Sequence, residues 1–375
     1  MKKDSQPQTQ RPTATLVRRA LSVWLYLLLA GGFGLGPAGV AEAVPPSEKP
    51  PAHHTAHGFR NLYPDGHHMG MGGALRYLLG LYPKEIPAIP ADQVPPYKPE
   101  IVVPDLDLIR HPDPGRIQLT WIGHSSFLLQ VNGLNILFDP VYSDRASPFS
   151  FAGPKRIVPP GVRFEDLPPI DAVVISHNHF DHLDRPTIKR LGNKPRYFVP
   201  LGVRTWFSRL GIDRVSELDW WQRAFVGETV FCFVPALHWS GRGPFSRNHE
   251  LWGGWVIETK QGRIYFAGDS GYSPYYKEIG TRLGPFRLSM IPIGTYRPAW
   301  YFKPMHQDPA EAVQAHRDVG SAFSVGMHWG TFKTSTEPSG EPPVFLKKAL
   351  REAGLPADQF VVMKFGQTLV LDWQP

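Results

Sequence analysis

Three histidines and an aspartate follow a short apolar segment near the middle of this 375-residue chain. Residues 172–175 (Ala-Val-Val-Ile) are typical of a buried strand, and His177, His179, Asp181 and His182 come directly after it. In extended backbone His177 and His179 point the same way and can reach one cation, whereas Asp181 and His182 lie where the chain turns and can face a second. Imidazole and carboxylate suit zinc and related divalent ions. We therefore predict a metal site here rather than a loop of solvated histidines.

Three more ligand-type residues come at the ends of predicted strands. His238, Asp269 and His328 each follow an apolar segment, and glycines flank Asp269 on both sides within two residues. Each alone is more typical of a structural residue, but with the first four they make seven candidate ligands, enough for two ions. His124 lies at a predicted strand-to-strand turn, where it either lines a site or is a structural turn residue.

Short strands, frequent hairpins and a few helices surround these candidate ligands. Asn132-Gly133 is a strong two-residue hairpin signal. This pattern favours two mixed sheets packed face to face with helices outside. Strands are predicted at 117–122, 127–131, 134–138, 172–175, 215–218, 230–234, 252–259, 262–267, 288–293, 322–327 and, as a closing pair, at 361–365 and 368–371. Helices are predicted at 71–81, 186–191, 203–210, 309–319 and 345–352.

Composition limits the class of protein. The 36 Gly and 40 Pro residues indicate many turns, and the single cysteine, Cys232, excludes an intramolecular disulfide. We expect Cys232 to be a buried apolar residue rather than a reactive thiol. The net charge is +7, of which residues 1–43 carry +3. The remaining excess is mild and does not argue for nucleic-acid binding.

The chain divides into three segments. Residues 1–43 contain a basic stretch, an apolar run too short for a membrane span and an Ala-x-Ala pattern, which predict a cleaved export signal and a periplasmic location; a retained N-terminal anchor is the alternative. Residues 44–115 form a Pro-rich extension that contains a His-rich stretch at 53–68. A His-rich stretch can bind metal, but we expect this one to be solvated or partly packed, because no strand or helix is evident there to fix the geometry. We expect residues 116–375 to form the domain that carries the predicted metal site and any catalytic activity.

The motif at residues 177–182 (H-N-H-F-D-H), followed in order by His238, Asp269 and His328, resembles the metallo-β-lactamase superfamily. The resemblance covers residues 116–371 and implies an α+β fold, a four-layer αββα sandwich. Four further stretches resemble the branch that contains N-acyl-phosphatidylethanolamine-hydrolysing phospholipase D. They are residues 198–202 (FVPLG), 217–221 (ELDWW), 266–272 (FAGDSGY) and 327–332 (MHWGTF).

The resemblance also implies a role for each ligand. His177, His179 and His238 would bind the first zinc, and Asp181, His182 and His328 would bind the second. Asp269 would bridge the two ions, and iron or manganese could replace zinc in one site.

Two more residues take expected roles from the resemblance. His306 matches a family histidine beside the substrate phosphate. The equal alternative is that His306 is an ordinary residue at the start of the following helix with no chemical role. Phe180 lies next to the substrate at a position where relatives often have tyrosine. We expect water to attack phosphorus, with Asp181 orienting that water or handling its proton. His306 would contact a phosphoryl oxygen or protonate the leaving alcohol.

Several aromatic residues lie near the ligands in sequence. They form either an apolar wall for acyl chains or ordinary core: Trp239, Phe245, Trp252, Trp255, Tyr296, Trp300 and Tyr301.

The predicted function is a two-metal phosphodiesterase of phospholipase D type acting on N-acyl-phosphatidylethanolamine or a related phospholipid, with peripheral membrane contact. One alternative is a metal-dependent lactonase or other carbonyl hydrolase of the same fold. Another is a non-catalytic metal-binding protein. A nucleic-acid substrate is disfavoured by the mild charge and the predicted export.

Overall fold

A computed structural model of the protein describes residues 50–64, 71–81, 85, 87–243 and 245–372. The predicted export signal at residues 1–43 lies outside this range, as do His67 and His68 of the extension. Within the described residues, no helix combines the length and apolar character needed to cross a lipid bilayer.

Strands and short helices alternate along the described chain. The strands are β1 (His54–Thr55), β2 (Gly58–Phe59), β3 (Ile117–Gly123), β4 (Ser126–Val131), β5 (Leu134–Phe138), β6 (Ala172–Val174), β7 (Arg196–Pro200), β8 (Val215–Leu218), β9 (Arg223–Val226), β10 (Thr229–Val234), β11 (Gly254–Thr259), β12 (Gly262–Phe266), β13 (Leu288–Pro292), β14 (Ser324–Met327), β15 (Phe360–Val362) and β16 (Thr368–Leu371). The helices are α1 (Met71–Leu78), α2 (Leu106–Arg110), α3 (Arg185–Leu191), α4 (Arg204–Ser208), α5 (Tyr275–Leu283), α6 (Ala299–Phe302), α7 (Pro309–Asp318) and α8 (Glu341–Glu352).

The first sheet has the order β16-β3-β4-β5-β6-β7-β8 among the described residues. Strands β3, β4 and β5 are antiparallel neighbours, and Asn132 and Gly133 form the predicted hairpin turn with φ of 54° and 75°. From β5 to β8 the strands are parallel. Parallel neighbours place their carboxyl ends at one edge of the sheet, so β5 and β6 end side by side.

The second sheet has the order β15-β14-β13-β12-β11-β10-β9 in the described part of the chain. Strand β11 is antiparallel to both β10 and β12, and β12 to β15 are parallel. Strands β10, β12 and β14 therefore run in the same direction. The loops that follow these three strands emerge at the same edge of the sheet.

Aromatic side chains fill the space between the two sheets. The ring of Phe198 on β7 stacks on that of Phe231 on β10, with centroids 4.1 Å apart. Phe138 on β5 contacts Phe266 on β12 at 4.9 Å. Burial of such large apolar surfaces on facing sheets is the main force that holds the two layers together.

Helices cover the outer faces of both sheets. Buried residues of α3 and α4, including Ile188 and Phe207, pack on the first sheet, and α7 contacts β13 on the second. Helix α7 begins as its sequence predicts, because Asp308 and Glu311 form a capping box and Pro309 takes the first helical position. The predicted αββα sandwich is confirmed.

The prediction that residues 361–365 and 368–371 pair with each other is wrong. Strand β15 pairs with β14 in the second sheet, whereas β16 pairs with β3 in the first. Between them Phe365 enters the interface and stacks on Trp121 at 4.3 Å, so the chain crosses from one sheet to the other.

Other elements differ from the sequence prediction in extent or were not predicted. Helix α8 begins at Glu341 rather than at 345, because prolines fit the first turn of a helix, where their missing N–H group is not needed. Helix α5 was not predicted, although its buried residues Tyr275, Ile279 and Leu283 have helical spacing. The short edge strand β9 was also missed.

The His-rich segment is more ordered than its sequence suggests. Strands β1 and β2 form an antiparallel pair, and His53, next to β1, is buried. The backbone N–H of Phe59 donates to the carbonyl oxygen of Asn248 at 2.8 Å, which attaches this hairpin to the rest of the protein. The expectation that no strand forms here is therefore wrong for β1 and β2, whereas the expected partial packing is confirmed by the burial of His53.

Candidate metal centre

The segment after β6 is held between the two sheets. The indole N–H of Trp255, on β11, donates to the carbonyl oxygen of Ile175 at 2.9 Å, and the N–H of Gly253 donates to that of Ser176 at 3.0 Å. The backbone N–H of Ser176 in turn donates to Asp139 Oδ1 at 2.7 Å. These contacts fix the backbone from which the histidines that follow project.

His177, His179 and His238 direct one ring nitrogen each to a common point. His177 Nε2 lies 2.8 Å from His179 Nδ1, which lies 3.3 Å from His238 Nε2. His177 and His238 are almost fully buried, with 1% of each residue exposed. Three imidazoles that converge in this way can bind one divalent cation.

A second group lies beside the first. Asp181 Oδ2 is 3.5 Å from His328 Nε2 and 3.9 Å from His182 Nε2. His124 joins this group, since its Nε2 lies 3.1 Å from Asp181 Oδ2. These four side chains could hold a second cation.

Asp269 connects the two groups through a single oxygen. Its Oδ2 lies 3.0 Å from His328 Nε2 and 3.1 Å from His182 Nε2 in the second group. It also lies 3.8 Å from His238 Nε2 and 3.9 Å from His177 Nε2 in the first. A carboxylate in this position can serve cations on both sides.

Most of these histidines are oriented by a contact to their other ring nitrogen. His182 Nδ1 contacts Asp139 Oδ2 at 2.7 Å, and His328 Nδ1 lies 3.2 Å from Thr295 Oγ1. His238 Nδ1 donates to the carbonyl oxygen of Met305 at 2.9 Å. Such contacts set the tautomer and the ring direction of metal-binding histidines.

The buried atoms of the cluster fit metal ions. Two ring nitrogens that face Asp269 Oδ2 are buried and have no hydrogen-bond partner among the described residues. They are His182 Nε2 and His328 Nε2. Buried polar atoms without partners are costly, and a cation would satisfy those whose lone pairs face the cluster.

Burial keeps the imidazoles of the first group neutral. It lowers the pKa of His177 and of His179 well below the usual range, and it lowers the pKa of His238 to about 4. Neutral imidazole is the form that binds metals.

The second group attracts positive charge. Burial opposes ionisation of Asp181 and Asp269, but the surrounding histidines, His182 first among them, together outweigh it, and the pKa of both carboxyls is well below the usual range. Burial likewise opposes protonation of His328, but Asp269 and Asp181 together outweigh it and raise the pKa of His328 to about 9. A divalent cation would supply this positive charge in place of protons.

Gly268 allows Asp269 to reach the centre. Its φ is +61°, and a Cβ atom there would lie 2.7 Å from the carbonyl oxygen of Gly253 and 2.8 Å from Ser176 Cβ. A larger residue would therefore push the loop after β12 away from the end of β6.

The structure thus brings together all seven residues predicted as ligands, and it places His306 beside them. His306 Nδ1 lies 4.0 Å from Asp269 Oδ2, and its ring lies 5.1 Å from that of His238. Phe180 lies on the loop that follows β6. The guanidinium of Arg242 packs on the Phe180 ring at 3.9 Å.

The predicted aromatic residues have different environments. Trp252 and Trp255 are fully buried core residues, whereas Phe245 is 90% exposed. Trp239 packs on the ring of His179 at 4.2 Å, which places it beside the ligands. The core interpretation therefore holds for the first pair and not for Trp239.

Two supporting residues were not identified from the sequence. Asp139 contacts both His182 and Ser176, and Arg242 donates to the carbonyl oxygens of Asn178 and Leu183 at 2.7 and 2.8 Å. A signal for Asp139 was present, since it follows an apolar strand that directly precedes β6 in the sheet. Arg242 gave no comparable signal.

The chain is similar to known proteins in both sequence and fold. Residues 134–329 match the family model described as the beta-lactamase superfamily domain. An uncharacterized protein of Mycobacterium tuberculosis is 46% identical over 237 residues, which are 61% of this chain and 63% of that protein. The chain thus spans less than two thirds of the length of this relative.

One further relative and one solved structure are also similar to the chain. The N-acyl-phosphatidylethanolamine-hydrolyzing phospholipase D 1 of Caenorhabditis elegans is 41% identical over 264 residues, covering 66% of this chain and 74% of that protein. The structure of Igni18, a metallo hydrolase from Ignicoccus hospitalis, shares the fold with a TM-score of 0.52 and 23% identity, covering 69% of this chain and all of that one. The chain belongs to the metallo-β-lactamase superfamily and, within it, resembles the N-acyl-phosphatidylethanolamine-hydrolysing phospholipases D.

Proposed function

We propose that this protein is a two-metal hydrolase that cleaves a phosphodiester bond in N-acyl-phosphatidylethanolamine or a related phospholipid. The observation that carries the proposal is the position of Asp269 Oδ2, within 4 Å of ring nitrogens in both ligand groups. Two adjacent cation sites that share a carboxylate suit the hydrolysis of phosphate esters.

Zinc is the metal that these ligands favour. All seven proposed ligands are histidine or aspartate, and the chain has no cysteine among them. Iron or manganese in one site stays within the proposal. When bound, two such ions would lower the pKa of a water molecule and neutralise charge on the phosphate oxygens.

Asp181 and His306 are the residues proposed to contact the reacting groups. The side chain of Asp181 is 18% exposed, against 2% for Asp269, so it is the carboxylate that incoming water can reach. It would orient the attacking water or accept its proton, while His124 Nε2 contacts its Oδ2 at 3.1 Å. His306 would contact a phosphoryl oxygen or protonate the leaving alcohol.

A phospholipid substrate is supported by the similarity to the C. elegans enzyme and by one exposed aromatic side chain, Phe245. Phe245, 90% exposed, lies three residues from Arg242, which contacts the motif loop. An exposed aromatic ring of this kind suits peripheral contact with a lipid surface.

Export belongs to the same proposal, with residues 1–43 as a cleaved signal and the periplasm as the location. The support is their basic stretch followed by an apolar run. Sequencing the amino terminus of protein recovered from the cell envelope tests this, and an intact Met1 on that protein would contradict cleavage.

The function is tested by incubating zinc-loaded protein with N-acyl-phosphatidylethanolamine and identifying the products by lipid mass spectrometry. The proposal predicts an N-acylethanolamine together with phosphatidic acid. Bis(p-nitrophenyl) phosphate and a panel of lactones, tested in parallel, compare phosphodiester with carbonyl hydrolysis.

Two results would reject the phosphodiesterase assignment. Preferential cleavage of lactones would favour a carbonyl hydrolase. Stoichiometric metal binding without hydrolysis of any of these substrates would favour a non-catalytic metal-binding protein.

A further inference from the structure

A further cluster of potential metal ligands involves the N-terminal segment and lies outside the centre described above. His53 Nε2 lies 2.6 Å from Asp219 Oδ1, and His54 Nε2 lies 2.7 Å from Asp219 Oδ2. The three ligand atoms all fall within 4.8 Å of one another. His53 and Asp219 are buried, with 5% and 8% of each residue exposed.

Separate parts of the chain build this cluster. The β1–β2 hairpin supplies the two histidines, and Asp219 follows the carboxyl end of β8. The ring of His53 stacks on Trp220 at 4.2 Å, and the ring of His54 meets the edge of Phe59 at 5.0 Å. This aromatic surrounding limits the access of water and strengthens electrostatic interactions within the cluster.

We propose that His53, His54 and Asp219 bind a further divalent cation, with zinc as the best match. Two imidazoles and one carboxylate form a protein ligand set that zinc uses with a solvent molecule in the fourth position. The side chain of His54 is 25% exposed, which leaves one side of the cluster open to solvent.

Binding at this site exchanges protons for the metal. Each imidazole contacts an Asp219 oxygen through its Nε2 atom. Any proton shared between Nε2 and that oxygen must leave before the cation can bind. Each neutral ring would then carry its hydrogen on Nδ1 and present the Nε2 lone pair to the cation. The Asp219 carboxylate offers the negative charge that offsets part of the cation's charge.

The site would attach the N-terminal segment next to the main centre. A few residues beyond the hairpin, Asn61 Nδ2 donates to the carbonyl oxygen of His238 at 2.9 Å. The N–H of Leu62 donates to the hydroxyl of Tyr275 at 2.8 Å. A cation that joins His53 and His54 to Asp219 would therefore stabilise a segment that contacts a proposed ligand of the first metal.

The test is a zinc count on untagged full-length protein that has been stripped of metal and dialysed against zinc. We expect three zinc ions per chain in the wild type and two in His54→Gln. The matched control is His57→Gln, which changes an exposed histidine of the same hairpin and should keep three. Two ions in the wild type, three in His54→Gln or two in His57→Gln would each overturn the proposal.

A second measurement covers the case in which His54→Gln folds poorly. Trypsin cleavage after the exposed Arg60 reports on the hairpin directly. Zinc should slow this cleavage in the wild type and in His57→Gln but not in Asp219→Asn, which keeps the shape of the side chain. Equal rates with and without zinc in the wild type would overturn the proposal, whatever the hydrolase assays show.

Discussion

The two sheets contribute to the metal centre in different ways. On the first sheet a single loop after β6 supplies His177, His179, Asp181 and His182. On the second sheet His238, Asp269 and His328 come from three loops that are far apart in the chain. One half of the centre is therefore set by local backbone geometry, and the other by the register and direction of β10, β12 and β14.

This difference determines how each half should respond to change. Removing residues of the first half deletes ligands that neighbour one another along a fixed loop. In the second half, a shift of one strand end relative to another can misplace a ligand that is itself intact. Variants in both halves, and in the residues that support each, can distinguish the loss of a ligand from the displacement of an intact ligand.

The largest effect is expected from the loop half. His177→Ala with His179→Ala removes two of the three ligands of the first group, so the ion of that group should be lost together with hydrolysis. Elemental analysis should show at least one fewer zinc ion per chain than in the wild type. Full activity in this double variant would contradict the account.

The carboxylate shared by the two groups should be nearly as sensitive. Asp269→Asn keeps the shape of the side chain but removes the charge that both cations use. A loss of several kcal/mol of transition-state stabilisation corresponds to a decrease of about 100-fold or more in kcat/KM. Steady-state kinetics measures this, and a decrease below about threefold would show that Asp269 does not join the two sites.

An intermediate effect is expected for Asp139, which supports the loop half from β5. Asp139→Ala should lower zinc affinity or activity by roughly 10- to 100-fold, because His182 loses the contact that orients its ring.

The matched control for Asp139 is Asp171→Ala. Asp171 is an exposed carboxylate at the amino end of β6, where its Oδ2 accepts from the N–H of Asn135. Competition with a zinc chelator compares the two variants. Equal zinc affinities for both would contradict a supporting role for Asp139.

The second half should be disturbed through its backbone. Gly268→Ala forces a Cβ against Gly253 and Ser176 and should destabilise the fold more than Gly227→Ala, a substitution at a similar φ with no neighbouring atom within 4 Å. The control should cost about 1–2 kcal/mol, the penalty for left-handed backbone alone. Urea unfolding measures both, and equal costs would show that the loop after β12 can shift freely.

The smallest effect is expected at Phe180, on the loop after β6 beside the proposed substrate position. Phe180→Tyr adds a hydroxyl beside the proposed substrate position, and one new hydrogen bond of about 0.5–1.5 kcal/mol would lower KM by about 2- to 10-fold. Zinc content should stay unchanged. An unaltered KM would place Phe180 away from the bound lipid.

The same contrast between the halves explains what sequence alone could predict. The motif at 177–182 can be recognised from the sequence because its residues are close together in the chain. The capping box at Asp308 and the turn at Asn132-Gly133 can be recognised for the same reason. His238, Asp269 and His328 indicate a metal site only when they are considered together, because each alone is an ordinary residue after a strand. Their convergence depends on sheet order, which no local pattern contains.

Contacts between distant segments account for what was not predicted. Asp139 and Arg242 act on residues far from them in sequence, and the buried position of His53 depends on Asp219 and Trp220. The separation of β15 from β16 likewise depends on the packing of Phe365 against Trp121. Long-range packing of this kind leaves no periodicity in the sequence.

The most direct test of the central claim is hydrolysis of N-acyl-phosphatidylethanolamine by the zinc-loaded protein in water enriched in oxygen-18. Attack of water on phosphorus places one labelled oxygen in phosphatidic acid and none in the N-acylethanolamine, and this is the predicted result. Label in a released fatty acid would show carbonyl hydrolysis, and label in the N-acylethanolamine would show attack on carbon. Either result would contradict the account.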